Sequence, residues 1–154
     1  MTSLPAPRVP VRLGEREIAV WKRFLRAHST IIRRLESDLL DAHALPLASY
    51  DVLVQLVEAP ERRLRMTELA DAVMLSRSGL TRLVDRLERE GLVAREACES
   101  DARGLFAVLT EAGYERLRSA SGTHLRGVND YVMSRLSPED LDALDGVLRK
   151  LLDD

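Results

Sequence analysis

The segment from Met66 to Glu99 decides the fold and reads MTELADAVMLSRSGLTRLVDRLEREGLVAREACE. Residues 67–73 and 77–90 have the apolar spacing of two amphipathic helices, and a turn without glycine separates them. Residues 92–96 follow as a predicted strand. This order of helix, turn, helix and strand predicts a winged helix-turn-helix, a module that places its second helix in the major groove of DNA.

Single residues mark where the two helices begin and end. Thr67 and Ser76 are the predicted N-caps, because their hydroxyls can accept a hydrogen bond from an unpaired amide of the first turn. Gly91 ends the second helix, since glycine readily adopts the left-handed conformation that follows a helix. The side of the second helix that is predicted to face the core is an apolar stripe formed by Leu80, Leu83, Val84 and Leu87.

The opposite side of the helix over residues 77–90 carries the predicted DNA contacts. Arginine can form two hydrogen bonds with guanine, while serine, threonine and a helix N-terminus suit phosphate. The alternative is a solvated helix face on which Asp85 pairs with an arginine one turn away. We expect Asp85 to orient Arg82 or Arg89 rather than to touch DNA. The predicted contacts of this helix are Ser76, Arg77, Ser78, Thr81, Arg82, Arg86 and Arg89.

A polar loop over residues 97–104 and a return strand over residues 105–109 are expected next. The loop is longer than a two-residue hairpin turn, so it can project as a wing. Asp101 can fix the base of this loop through Arg103 or a backbone amide, which would aim the arginine at a minor groove. The alternative is an ordinary charged surface turn.

Long helices are predicted on both sides of this region. The helix over residues 13–43 is longer than a small domain needs, so it either spans between domains or packs against a second copy. Its large residues alternate at spacings of three and four, which is a heptad-like seam: Ile18, Trp21, Leu25, His28, Ile32, Leu35 and Leu39.

Further boundaries follow from prolines and capping residues. Ala44, Leu45 and Pro46 break the first helix, a second helix covers residues 48–58, and an extended piece covers residues 63–66. Thr110 caps a helix that reaches about Leu136. The last helix begins with a serine cap, a proline in the first position and acidic residues in the first turn: Ser137, Pro138, Glu139 and Asp140.

The composition limits the class of protein. The chain has 154 residues, a formal net charge of −2 and one cysteine, Cys98, so it cannot form an intramolecular disulfide. No apolar run approaches the length of a membrane span, and the N-terminus lacks the apolar core of a signal peptide, so we expect a cytoplasmic protein without a membrane association. Residues 1–12 contain three prolines and are expected to form a flexible arm.

No other chemistry competes with DNA binding in this sequence. The three histidines are well separated, and the chain has neither a glycine-rich phosphate loop nor an H-x₃-H or C-x₂-C metal spacing. We therefore predict no enzymatic activity, no cofactor and no metal site. A winged helix that serves as a protein-interaction module without DNA binding stays open as the alternative function.

Residues 64–113, LRMTELADAVMLSRSGLTRLVDRLEREGLVAREACESDARGLFAVLTEAG, resemble the multiple-antibiotic-resistance regulator (MarR) family of bacterial transcription factors. The resemblance implies a homodimeric repressor that binds a palindromic operator in double-stranded DNA. It assigns dimerisation to residues 13–43 and 110–154 and a winged DNA-binding lobe to residues 44–109. The family's groove contacts fall at Ser76, Arg77, Ser78, Thr81 and Arg82, and its wing residues at Asp101 and Arg103.

The resemblance also implies an effector site. Members of the family often bind small phenolic or aromatic acids between the dimer helices and the DNA-binding lobe, and then release DNA. The pocket wall would include Trp21, His28, Tyr50 and Asp51, although Trp21 and His28 also suit packing at a subunit interface. Cys98 has no second cysteine to pair with, and we expect an exposed thiol without a redox role.

Overall fold

A computed structural model describes residues 11–152, except for the side chains of residues 101–103. Most of these residues are helical, and a small antiparallel sheet completes the predicted fold class. The elements in chain order are α1 (Glu15–His43), α2 (Leu47–Glu58), β1 (Arg63–Arg65), α3 (Met66–Ala72), α4 (Arg77–Arg89), β2 (Val93–Cys98), β3 (Asp101–Leu109), α5 (Glu111–Tyr131) and α6 (Pro138–Leu152). The arm predicted over residues 1–12 lies outside the described residues as far as residue 10.

The core of the winged lobe forms where α4 and the sheet pack against α2 and α5. Leu80, Val84 and Leu87 of α4 are buried, as the apolar stripe predicts. They pack in one cluster with Leu53 of α2 and Ala107 of β3. This packing fixes which side of α4 faces solvent, because the buried residues recur every three to four positions.

Three predicted N-caps are confirmed by their hydrogen bonds. The Oγ of Ser76 accepts from the Gly79 amide at 3.0 Å, and the Oγ1 of Thr110 accepts from the Gly113 amide at 3.0 Å. The Oγ of Ser137 accepts from the Asp140 amide at 3.1 Å. Serine and threonine are therefore reliable markers of helix starts in this chain, because each satisfies an amide that the helix itself cannot pair.

Two predicted helix ends are wrong. Thr67 lies inside α3, which begins at Met66 with Arg65 as its N-cap, and the Glu68 carboxylate accepts from the Arg65 amide at 3.1 Å. Glu68 thus caps the amide of the N-cap residue itself, whereas the Thr67 hydroxyl was expected to accept from an amide of the first turn. The helix after Thr110 ends at Tyr131 rather than near Leu136, and a 3₁₀ turn over Met133–Arg135 follows it.

The wing is a tight hairpin and not the polar loop predicted over residues 97–104. The sheet order is β1-β3-β2, and only Glu99 and Ser100 lie between β2 and β3. Ala97 pairs with Leu105 but Cys98 pairs with Asp101, so residues 102–104 of β3 form a bulge. Polar side chains do not prevent backbone pairing in a solvent-exposed hairpin, and the bulge absorbs the additional residues.

The seam along α1 divides into a buried half and an exposed half. Leu35 and Leu39 are buried in the core of their own chain, whereas Trp21 remains 54% exposed and Leu25 45% exposed. The last helix, α6, has no buried residue at all. Across residues 11–152, no helix is both long enough and apolar enough to cross a membrane.

Gly113 lies where the start of α5 meets the residue that connects α4 to β2. A Cβ atom at position 113 would overlap the Leu92 carbonyl oxygen and would lie 2.7 Å from Leu109 Cδ1. The Oγ1 of Thr110 also donates to the Gly91 carbonyl at 2.7 Å. The absence of a side chain at Gly113 therefore lets the start of α5 pack directly against the Leu92 backbone, between α4 and β2.

We predict that Gly113→Ala lowers the free energy of unfolding by about 1–3 kcal/mol, the cost of overpacking a tight contact. Gly122→Ala is the matched control, because position 122 of the same helix is exposed and a Cβ there meets only Arg126 Nη1 at 3.9 Å. The control should gain about 0.5–1 kcal/mol from its higher helix propensity. Urea unfolding at one fixed chain concentration measures both, and equal effects would contradict this account of Gly113.

His124 joins α5 to α2 through a ring contact. Its imidazole lies 4.5 Å from the ring of Tyr50, measured between centroids, and its Nδ1 is buried without a hydrogen-bond partner among the described atoms. Burial lowers the pKa of His124 below its ordinary value of 6.5, because the charged form loses its water.

We predict that the contribution of His124 to the free energy of unfolding falls as the pH drops below 6.5. The unfolded chain binds a proton there more readily than the folded chain does, so acid favours unfolding until the folded histidine also protonates. Titration of the His124 imidazole by NMR should give a midpoint below 6.5. A midpoint at or above that value would contradict the prediction.

Candidate nucleic-acid interface

The N-terminal end of α4 presents three hydroxyl groups to solvent. Ser76, Ser78 and Thr81 are all exposed. The Ser76 and Ser78 hydroxyls lie 3.3 Å apart, and the Thr81 hydroxyl donates to the Arg77 carbonyl at 2.8 Å. Each hydroxyl oxygen keeps acceptor or donor capacity toward solvent, which suits phosphate oxygens and base edges.

The arginines of α4 differ in how they are paired. The Nε of Arg86 forms an ion pair with Glu90 at 3.0 Å, one helical turn away. Arg77, Arg82 and Arg89 are exposed and form no ion pair with any described side chain. These three guanidinium groups are therefore the ones available to an external anion, while Arg86 already has a carboxylate.

Asp85 pairs with a residue that the sequence did not indicate. We expected Arg82 or Arg89 as its partner, but its Oδ1 lies 2.7 Å from Nη2 of Arg95 on β2. The prediction is wrong because the sheet packs beside α4 and brings a strand residue closer than a neighbour on the same helix. Pairing across elements leaves Arg82 and Arg89 unengaged by Asp85.

Arg95 ties the wing to α4 through several contacts at once. Besides Asp85, its guanidinium lies 3.4 Å from Glu88 Oε1 and donates to the Thr81 carbonyl at 3.3 Å. The Arg95 amide also donates to Glu88 Oε2 at 3.1 Å. The Arg95 side chain is only 18% exposed, so these charge-assisted bonds are partly shielded from water. The set fixes the orientation of α4 relative to β2.

A cleft of about 550 Å³ separates α4 from the wing and the start of α3. Arg65 lies in its wall, and Nη2 of Arg65 donates to the Ser100 hydroxyl at the tip of the hairpin at 3.3 Å. Arg65 also lies over the Phe106 ring at 5.9 Å. Sequence reasoning missed Arg65 because it belongs to neither helix face, yet it shares this cleft with Thr81 and Arg95.

The two predicted wing residues lie at positions whose side chains are outside the described part of the structure. The backbone of Asp101 and Arg103 belongs to β3, next to the tip of the hairpin. Cys98 is 4% exposed at the end of β2, so the expected exposed thiol is wrong. Val93 and Cys98 are both buried although they are five positions apart, because the register shift between Ala97 and Cys98 interrupts the alternation of the strand.

The four residues of the predicted effector pocket are not brought together within one chain. His28 and Asp51 line a groove of about 440 Å³ between α1 and α2. Tyr50 is buried against His124, and Trp21 is stacked on Phe24 with a centroid distance of 5.9 Å on the exposed half of α1.

The groove between α1 and α2 contains a carboxyl group with a raised pKa, that of Asp51. Burial raises the pKa of Asp51 above its ordinary value of 3.8, and the nearby Glu36 carboxylate raises it further. Glu36 itself accepts a hydrogen bond from the Leu47 amide at the start of α2. His28 and Arg33 lie in the same wall, so the groove offers both acidic and basic groups to a small molecule.

Comparisons with known proteins agree with this geometry. The model of the MarR family matches residues 44–104. The structure of Sco3205, a MarR family transcriptional regulator from Streptomyces coelicolor in complex with DNA, is 40% identical with a TM-score of 0.89, over 94% of this chain and 91% of that one. AbsC, a MarR family transcriptional regulator from Streptomyces coelicolor, is 39% identical with a TM-score of 0.87, over 94% and 97% of the two chains.

A curated relative is more distant in sequence. The transcriptional repressor MprA of Escherichia coli is 28% identical over 136 residues, which are 88% of this chain and 76% of MprA. Because the match covers 88% of this chain, the similarity extends beyond the winged lobe to the flanking helices. The chain belongs to the MarR family of winged helix-turn-helix transcriptional regulators.

Proposed function

We propose that this chain acts in the cytoplasm as a homodimeric repressor of its own or neighbouring genes. Each subunit places α4 in a major groove of a palindromic operator and its wing in the adjacent minor groove. The observation that carries the proposal is the exposed face of α4, on which Arg77, Arg82 and Arg89 form no ion pair with a described side chain and lie beside three hydroxyl groups. Sco3205, with 40% identity to this chain, was solved with DNA.

The apolar surface of the outer helices supports the dimer. Monomeric proteins rarely expose large contiguous apolar patches. In α1 the exposed side chains include Ile18, Trp21, Leu25 and Ile32. In α6 they are Leu141, Leu144, Val147, Leu148, Leu151 and Leu152. A second copy that covers both helices would remove this surface from water.

Charge supports the same arrangement. Residues 1–34 contain eight basic and two acidic residues, whereas residues 137–154 contain two basic and six acidic residues. The first segment includes most of α1 and the second includes α6, so the two are complementary in sign. Oppositely charged segments that pack between subunits favour the correct pairing of chains.

A protein-interaction module without DNA binding is the second candidate, and footprinting on the promoter beside the gene that encodes this chain separates the two. The repressor should protect a palindrome, and its affinity should fall steeply with salt, because arginines that neutralise phosphates release counterions. A lack of protection at low salt would overturn the proposal and leave the interaction module.

An effector completes the proposal. A small phenolic or aromatic acid would bind in the groove between α1 and α2, where Arg33 offers positive charge and Ile32 and Leu47 offer apolar surface beside the His28 ring. Its binding there would weaken the hold on DNA, since the groove joins a dimer helix to the winged lobe. Thermal-shift measurements with salicylate test this part, and salicylate without any effect on the melting temperature would count against it.

Asp85→Asn should show whether Asp85 affects DNA binding by positioning α4 or only by its negative charge. The substitution removes a negative charge from the DNA-facing side, so electrostatics alone would tighten binding. Because it also weakens the contact with Arg95, since an amide oxygen carries no charge, we predict that operator affinity falls by about 1–2 kcal/mol, the scale of a lost charge-assisted hydrogen bond. Affinity for random duplex DNA should stay equal or rise.

Glu90→Gln is the matched control for this prediction. Glu90 is an exposed acidic residue at the end of the same helix, and its loss frees Arg86 without disturbing Arg95. It should tighten binding to operator and random DNA alike, as measured by fluorescence anisotropy at one salt concentration. The positioning role of Asp85 fails if the two variants change operator affinity in the same direction.

Arg82→Ala should relax base preference at one position of each half-site. An arginine that forms two hydrogen bonds with a guanine contributes about 1–3 kcal/mol of discrimination. Binding to a panel of single-base operator variants measures the effect, with Arg118→Ala on α5 as a control for charge loss. An unchanged preference would assign Arg82 to a phosphate instead.

A further inference from the structure

The cleft between α4 and the wing has a volume of about 550 Å³ and lies between the two elements that are proposed to enter DNA. In the proposed complex α4 occupies a major groove and the wing occupies the adjacent minor groove. One sugar–phosphate backbone separates two adjacent grooves of a duplex. In that complex the backbone therefore lies over the cleft that α4 and the wing enclose.

The cleft is built from the winged lobe alone. Its walls come from β1, the start of α3, the outer side of α4, and strands β2 and β3. The exposed apolar surfaces proposed for the dimer lie on α1 and α6, and neither helix contributes a residue to the cleft. A second copy that covers those two helices leaves the charges of the cleft as they are in one chain.

Arg65 carries the positive charge of the cleft that no described carboxylate balances. The charged residues that line the cleft are Arg65, Asp85 and Arg95. Asp85 lies 2.7 Å from Arg95, which also contacts Glu88. Arg65 forms no ion pair with any described side chain. Because arginine keeps its proton at any ordinary pH, the charge of Arg65 calls for an external anion.

Contacts with the wing hold the Arg65 side chain at the edge of the cleft. Its Nη2 donates to the Ser100 hydroxyl at 3.3 Å, and its guanidinium carbon lies 5.9 Å from the centroid of the Phe106 ring. Arg65 and Phe106 are partners in the pairing of β1 with β3, so the register places the ring beside the arginine. A guanidinium has five N–H groups, and the Ser100 hydroxyl accepts from one of them. A side chain that is already held loses less conformational entropy when it binds a ligand.

The Thr67 hydroxyl lies in the wall of the same cleft. Thr67 is exposed near the start of α3, and its hydroxyl forms no hydrogen bond with a described group. It does not cap α3, because Arg65 is the N-cap and Glu68 accepts from the Arg65 amide. The Thr81 hydroxyl on the opposite wall already donates to a carbonyl of its own helix at 2.8 Å. Thr67 therefore offers a hydroxyl hydrogen next to the Arg65 guanidinium.

Building on the proposed function, we propose that Arg65 and Thr67 bind a phosphate of the DNA strand that lies between the groove of α4 and the groove of the wing. The two free oxygens of a phosphodiester match the fork of a guanidinium, and a hydroxyl can donate a further hydrogen bond. Contacts with phosphate carry no sequence information but fix the register of a protein on the duplex. Since Arg65 contacts both the wing tip and the strand, it links the position of the wing to that of α4.

The salt dependence of DNA binding tests the phosphate contact. One neutralised phosphate contributes about 0.9 to the slope of log affinity against log salt concentration. We expect Arg65→Gln to lower this slope by about 0.9 and to weaken binding to operator and random duplex alike by about tenfold, the effect of one charge-assisted contact. Arg65→Lys should keep the slope, because it keeps the charge. Arg118→Gln removes an exposed arginine of α5 whose partner is Glu115, and as the matched control it should change neither quantity.

A duplex with a single uncharged phosphate shows where the contact lies. A methylphosphonate, placed in turn at each phosphate between the two protected grooves, should weaken binding of the unaltered chain about tenfold at one position in each half-site. The same duplex should weaken binding of Arg65→Gln no further, because the interaction is already lost. Ser100→Ala removes the hydroxyl that Arg65 contacts but not the charge, so it should keep both the salt slope and the sensitivity to methylphosphonate.

Each departure from these results overturns a stated part of the proposal. An unchanged slope in Arg65→Gln would mean that Arg65 binds no phosphate. An equal fall of the slope in Arg65→Gln and Ser100→Ala would leave Arg65 with the sole role of holding the wing. A methylphosphonate that weakens Arg65→Gln as much as the unaltered chain would assign that phosphate to another residue. These three results leave DNA binding intact, whereas an unaltered chain that binds no duplex overturns the proposed function as well.

The variants should fold, because the cap of α3 uses the backbone amide of residue 65 and not its side chain. Circular dichroism checks this. If Arg65→Gln does not fold, Arg65→Met takes its place, since it keeps an apolar stem beside Phe106 and also lacks the charge. The same fall in slope and the same insensitivity to methylphosphonate are expected of it, and their absence would count against the site in the same way.

Discussion

The contact between Arg95 and Asp85 is the constraint on which the surface proposed to face DNA depends. It joins β2 to α4 at 2.7 Å, and Arg95 also reaches Glu88 and the Thr81 carbonyl, so one side chain spans two turns of the helix. A helix held only by its leucine stripe can still rotate or slide slightly, since apolar contacts have little directionality. Directional bonds at a partly buried guanidinium remove that freedom, which matters because base recognition requires fixed donors and acceptors.

The same contact decides which charges of α4 remain without a carboxylate partner among the described side chains. If Asp85 were paired with Arg82 or Arg89, a carboxylate would compete with the operator for one of them. Because a strand residue satisfies Asp85, the acidic residue contributes to the fold, and the arginines stay available. Among the described side chains, Arg86 is the only arginine of α4 in an ion pair, and its partner Glu90 is the C-cap residue one turn away.

The sequence predicted those features that depend on interactions between neighbouring residues. The helix starts after Ser76, Thr110 and Ser137 were predicted, because a cap involves only three or four neighbouring residues. The partner of Asp85 and the burial of Cys98 were not, because each depends on how a strand packs against distant residues. The loop predicted over residues 97–104 was too long, since a bulge at residues 102–104 lets the polar residues continue the pairing of β2 with β3.

The residues predicted for the effector pocket show a similar limit. Trp21 and His28 lie seven positions apart on α1, whereas Tyr50 and Asp51 lie on α2, so the four side chains are spread over two helices. His28 and Asp51 meet at one groove, and Arg23, Arg26 and Arg34 meet Tyr131 at another. One helix thus provides an apolar face, a mixed-charge groove and a basic cleft. The heptad-like spacing of apolar residues in the sequence could predict only the first of these three surfaces.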